Sequence, residues 1–184
     1  MLPWEGFSVI YYLLALLVIA IDQGSKYLIV HNLNPYEEVP VIGDFFGLTL
    51  HRNRGAAFSI LQEQRVFFII ITVAVVSGIV YYMRRVLRER KVLLPTALGF
   101  LLGGALGNFI DRALTGEVVD FLMFNFRFSW FGHPVDYTFP IFNIADTAIT
   151  IGVALIILDT LLAGLKERKE KRHDTESTPT EETR

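Results

Sequence analysis

Residues 142–162 read FNIADTAITIGVALIILDTLL. The run is apolar and long enough to cross a bilayer, which takes about 20 residues as a helix. It nevertheless holds two aspartates, Asp146 and Asp159. They are 13 residues apart, which is about 20 Å along a helix and about 140° around it. They therefore lie toward opposite ends of one span, on different faces, and need separate explanations.

Working outward, three more runs share this character. Spans are expected at about 7–30, 66–83, 92–114 and 140–165. The chain has 184 residues, 52% of them hydrophobic, with a mean hydropathy of +0.43. That composition predicts a membrane protein, mainly α. Formal net charge is only −2, so no basic nucleic-acid face is expected. Cysteine is absent, which removes disulfides, thiolate metal sites and cysteine nucleophiles. The segment Met1–Ser8 has no Lys or Arg and no small-residue cleavage site follows it, so the first run reads as a retained span.

Basic residues set the expected orientation. RRVLRERK, 84–91, holds five basic residues and one acidic, and KERKEKR, 166–172, holds five and two. Both are expected in the cytoplasm, with both termini, leaving 32–65 and 115–139 outside. Residues 1–165 are then a four-helix membrane domain. Residues 166–184 form a basic, then polar tail ending HDTESTPTEETR, expected to be disordered.

This topology sorts the polar residues. Asp22 and Lys26 fall in the outer half of the first span, and Asn108, Asp111 and Arg112 at the outer end of the third. Asp120 follows in the second outer loop, and Asn143 and Asp146 open the fourth span. Asn53 and Arg54 lie in the first outer loop. Only Asp159 departs from the cluster. Ionisable residues inside a membrane are expensive and mark function or pairing. Interfacial snorkelling, with Asp22 and Lys26 as a plain i,i+4 pair, is the plainer reading. Convergence from three spans favours a site.

Gly99, Gly103 and Gly107 recur every four residues on the third span, the spacing that lets helices approach closely in lipid. In the first outer loop, Val39–Ile42 and Phe46–His51 read as short strands around a Gly43-Asp44 turn. In the second, Phe124, Phe126, Phe128 and Trp130 alternate with polar residues, the period of a half-buried strand. That aromatic edge could rest at the membrane interface or cover a site. The expected architecture is four transmembrane helices, a small extracytoplasmic β element and an outer loop over the site.

The chemistry narrows by type. There is no HExxH, the four histidines are scattered, and no GxSxG occurs, so zinc and serine-elbow chemistry are not indicated. Ser25 is adjacent to Lys26 and does not face it on a helix. Paired carboxylates remain. Two in a low-dielectric site share a proton, so one activates water while the other polarises the scissile carbonyl. Candidates are Asp22, Asp111, Asp120, Asp136 and Asp146. Asp22 and Asp111 have local cations, which suits pairing, and Asp136 sits in an exposed turn context. Asp120 and Asp146 have no local cation and make the better pair. Rival readings are a proton relay, which should spread ionisable groups through the whole thickness, and a scaffold without chemistry.

Five motifs then stand in order: DQGSK (22–26), NRGAAFS (53–59), GGALGNFIDR (103–112), VVDF (118–121) and FNIADTAITIG (142–152). Together they resemble the motif series of the lipoprotein signal peptidases, or signal peptidase II, from about Asp22 to Gly152. The resemblance implies a four-span, cofactor-free aspartic peptidase of the bacterial inner membrane. Such an enzyme cuts prolipoproteins just before a diacylglyceryl-modified cysteine. It implies a catalytic pair at Asp120 and Asp146, supported by Asp22, Lys26, Asn53, Gly55, Asn108, Asp111, Arg112 and Asn143. Ala56 and Phe58 belong to the second motif. The expected partners are a lipidated prolipoprotein and membrane lipid, and the chain is expected to act as a monomer.

Overall fold

In oil every backbone N–H and C=O must be satisfied within the segment, so the four apolar runs form helices. A computed structural model describes residues 5–55, 64–89 and 91–177. In chain order the elements are α1 (Glu5–Asn32), β1 (Glu38–Ile42), β2 (Phe46–Asn53), α2 (Arg65–Val86), α3 (Leu93–Leu114), β3 (Val118–Trp130), β4 (His133–Thr138) and α4 (Ile144–Ser177). A 3-10 turn, Leu87–Glu89, follows α2. All four helices are long and apolar enough to cross a membrane.

Helix α3 is the centre of the bundle, packed on α1, α4 and α2. Its glycines make this possible on two sides. A Cβ on Gly103 would stand 2.7 Å from the Val18 Cβ and 2.8 Å from the Ala15 carbonyl oxygen of α1. One on Gly104 would collide with the Ala145 carbonyl oxygen of α4. The expected row Gly99, Gly103, Gly107 thus faces α1, and Gly104, outside that row, admits α4. Helix α2 is peripheral and exposes Val66, Ile70, Val73 and Val75, a surface suited to lipid.

The β elements gather at one end of the bundle. They form one antiparallel sheet in the order β1-β2-β3-β4. Gly43, at φ 49°, turns β1 into β2. The register sets His51 opposite Asp120 and Asn53 opposite Val118. Ile29 near the end of α1 packs with Leu50, Val119 and Phe121, so the sheet is seated on the bundle by apolar contact. A second apolar cluster of Tyr11, Met83, Val86, Leu94 and Leu98 joins α1, α2 and α3.

Two expectations change and one is extended. The fourth span begins at Ile144 rather than near Pro140. Phe142 is instead bridged to Leu122 of β3, and Asn143 caps the helix. The 121–139 stretch carries the strand that its alternation predicts, and that strand is longer than the alternating run. β3 runs through the stretch to Trp130 and returns as β4, because its alternation continues the strand that begins at Val118. Finally, the tail expected to be disordered stays helical to Ser177. Ion pairs one turn apart, Lys166 with Glu170 and Glu167 with Lys171, support a helix that is polar on all sides. Residues 178–184 lie outside the described residues.

Candidate active site

The site grows from the first turn of α4. Asn143 precedes the helix and Asp146 is its third residue. The Asp146 backbone N–H donates to Asn143 Oδ1 at 2.9 Å, and the Asn143 N–H donates back to Asp146 Oδ2 at 3.3 Å. This is a reciprocal capping box, with Asn and Asp in the roles of Ser/Thr and Glu. The Ala145 N–H, otherwise an orphan of the first turn, donates to Asp22 Oδ1 at 2.9 Å. The apolar run that opened the sequence reading therefore begins where two carboxylates meet a helix N-terminus, the end that favours negative charge.

Behind this turn Lys26 is buried and spends all three of its donors. It meets Asp22 Oδ2 at 2.9 Å, Asp111 Oδ2 at 2.8 Å and Asn108 Oδ1 at 3.0 Å. Gln23 Nε2 ties the same carboxylates together, reaching Asp111 Oδ1 at 2.8 Å and Asp22 Oδ2 at 3.1 Å. Asp111 Oδ2 also accepts the Val119 N–H at 3.2 Å, which fixes the start of β3. Asp22, Lys26 and Asp111 thus form a neutralising scaffold across α1, α3, α4 and β3. Buried charges persist when paired and fully hydrogen-bonded. No buried side-chain polar atom among the described residues lacks a partner.

In front of the scaffold stand the other two aspartates. Asp120 is 3% exposed. Its Oδ1 accepts Asn143 Nδ2 at 2.7 Å, and its Oδ2 accepts Asn53 Nδ2 at 3.0 Å. Asp146 is half-buried, and its Oδ1 accepts Asn108 Nδ2 at 2.8 Å. Among the described residues, neither forms an ion pair. Both line one cavity of about 350 Å³, together with Asn53, Arg112 and an apolar wall that includes Phe139, Pro140, Ile141, Phe142 and Ile149. Burial pushes the Asp120 carboxyl up to about 7, and nearby Asp146 adds to the rise, against the opposing hydrogen bonds from Asn53 and Asn143 and the more distant Lys26. Arg112 donates Nη2 to the Gly55 carbonyl at 3.2 Å and lays its guanidinium 4.8 Å over the Phe68 ring. It thereby spans the mouth between β2 and α2.

All ten residues singled out from the sequence are brought to this one end. Ala56 and Phe58 lie outside the described residues. Asp111 turns to Lys26 of another helix rather than to its neighbour Arg112, a pairing that sequence distance cannot show. Gln23 was missed, although it sits inside the quoted DQGSK. Glu117, which holds Arg54 at 2.7 Å, was missed too, and only its place just before VVDF could have drawn notice. Asp136 is exposed and pairs with Arg127 at 3.3 Å. Asp159 is half-buried and lies apart from this cluster, 13 residues beyond Asp146 on α4.

The sequence pattern of the family described as signal peptidase (SPase) II matches residues 14–162. The chain belongs to that family. All ten residues fall inside the matched stretch. A lipoprotein signal peptidase of Brevibacillus brevis is 52% identical over 158 residues, covering 86% of this chain and 99% of its own. The Bacillus subtilis lipoprotein signal peptidase is 47% identical over 162 residues, covering 88% and 99%. Among solved structures, a bacterial membrane enzyme determined by the in meso method superposes with a TM-score of 0.69 at 38% identity. It covers 97% of this chain and 95% of its own. A second such structure gives 0.67 at 42% identity, over 85% and 93%. The family is one of membrane peptidases, and this chain is a peptidase with the same architecture.

Proposed function

We propose that the chain removes the signal peptide from diacylglyceryl-modified prolipoproteins, cutting just before the lipidated cysteine, with Asp120 and Asp146 as its catalytic pair. One observation carries the assignment. Of the four aspartates in the cluster, two are saturated by Lys26, Gln23 and backbone N–H groups. The other two open into a shared cavity and, among the described residues, accept Asn side-chain amides and the Asn143 backbone N–H without an ion pair.

The reaction follows from that difference. The pair carries one proton, held on Asp120 by its burial. Ionised Asp146 takes a proton from water as the oxygen attacks the scissile carbonyl carbon, and Asp120 gives its proton to the carbonyl oxygen. The resulting gem-diol collapses as the C–N bond breaks. Asp146 passes its proton to the departing nitrogen, and a diol hydroxyl returns one to Asp120. The amides of Asn53, Asn108 and Asn143 aim the carboxylates. The apolar cavity wall suits the acyl chains carried by the lipidated cysteine.

Basic segments 84–91 and 166–172 support an orientation with both termini in the cytoplasm of a bacterial inner membrane and the cavity near the outer face. The residues of the proposed pair and their supports come from one chain, which supports action as a monomer. The test is a gel mobility-shift assay on one prolipoprotein with and without its diacylglyceryl group. The lipidated form should be cut and the unlipidated form left intact. Equal cutting of both would refute the substrate assignment.

A further inference from the structure

The β3–β4 hairpin has two unlike faces. Residues opposite one another in an antiparallel pair share a face. The register sets Phe126 against Tyr137, Phe128 against Val135 and Trp130 against His133. One face is therefore aromatic and apolar. The other is polar and pairs within itself, with Thr138 Oγ1 donating to Asn125 at 2.7 Å and Arg127 Nε to Asp136 at 3.3 Å. The aromatic face stays open toward the tip, where Phe128 is 51%, Trp130 62% and Phe131 88% exposed.

Two features show that this exposure is unusual. The turn residues Phe131 and Gly132 have φ of 48° and 81°, the type I′ geometry that favours Asn-Gly. A phenylalanine there is strained, yet it places one more ring at the tip, 5.3 Å from Trp130. A two-stranded hairpin is also marginal in water when its apolar face is uncovered. Toward the bundle the same face is continuous with the cavity wall, since Phe124 stacks on Phe142 at 5.8 Å and Phe126 meets Phe45 at 5.5 Å.

We propose that the aromatic face of this hairpin lies in the headgroup zone of the bilayer and holds the cavity mouth at that depth. Lipid is the partner its position selects. β3 begins four residues after α3 ends (114 to 118), and α4 begins six after β4 ends (138 to 144). Both links are short, so the root of the hairpin is held at the level where the spans leave the hydrocarbon. Trp, Tyr and Phe are the residues of such interfaces. The Arg127–Asp136 pair leaves the hairpin without a lone charge on its polar face. A peptide adding to the outer edge of β4 would meet Pro134, which has no N–H to offer.

The chain has two tryptophans, Trp4 and Trp130, so Trp4→Phe leaves one reporter at the tip. Reconstituted in phosphatidylcholine bilayers, it should emit at shorter wavelength than the unfolded chain. Lipids brominated near the carbonyl end of the acyl chain should quench it more than aqueous iodide does. Phe131→Trp in a Trp4→Phe, Trp130→Phe background gives a second reporter and should behave alike. Strong iodide quenching with no effect of brominated lipid would overturn the proposal. Shielding from both quenchers would overturn it too, since protein would then cover the face.

Discussion

At the scale of single residues, the four aspartates of the cluster differ by what they face. Asp22 and Asp111 face Lys26 and act as structure. Asp120 faces a cavity, and its raised carboxyl makes a pH prediction. Its folded value lies near 7, above the ordinary 3.8. Between those values the folded chain holds a proton that the unfolded chain has lost, so stability falls as pH rises and the loss is complete above about 7. Thermal unfolding should therefore show wild type losing stability between about pH 4 and pH 7 relative to Asp120→Asn, which lacks this titration. Activity that needs the proton should fall over the same upper limb. Parallel stability profiles for the two proteins would remove Asp120 as the titrating group. The sequence showed which residues were polar and at which end they lay. It could not show that Asp111 answers to Lys26, or that Gln23 bridges two carboxylates, because those pairings are made across helices.

At the scale of elements, helix approach decides whether the cluster assembles. Gly104 lies against the Ala145 carbonyl of α4, one residue from Asp146. A methyl group there has no room, since its neighbour is backbone. Gly104→Ala should destabilise the protein by about 1–3 kcal/mol and lower activity, through displacement of the α4 first turn. Gly24, with nothing within 4 Å of an added Cβ, is the matched control. Gly24→Ala should be neutral or stabilising by up to about 1 kcal/mol. Equal effects at both positions, read by thermal unfolding in one detergent, would contradict the packing account. The four-residue glycine row was legible as a packing face. Gly104 was hidden because the second contact surface of α3 follows from the position of α4. Strand alternation in 124–130 was legible, yet the strand that carries Asp120 begins at Val118, where four buried residues in a row give no alternation.

At the scale of the whole molecule, the bundle is an apolar column with its chemistry at one end. Asp159 apart, the ionisable residues within the spans gather beside the sheet, which is the pattern of a site at a surface rather than of a relay through the membrane. Helical periodicity and charge made the four spans and their order readable. The helical extension of α4 to Ser177 was not, because i,i+4 pairing between Lys and Glu can equally be read as a solvated tail. Orientation is directly testable, since the chain has no cysteine. A cysteine placed at Asp44, between β1 and β2, should react with an impermeant maleimide added to whole cells. One placed at Lys169 should react only after lysis, and the reverse pattern would invert the topology.

The central claim is that two cavity-facing carboxylates perform the cleavage. Its most direct measurement is turnover of a lipidated prolipoprotein by purified Asp120→Asn and Asp146→Asn variants, each checked for folding by its melting transition. Each variant should lose about 10² to 10⁴-fold or more in rate, the usual worth of a general acid or base, while Asp159→Asn keeps wild-type turnover. A folded Asp120→Asn or Asp146→Asn enzyme that cuts at the wild-type rate would contradict the account.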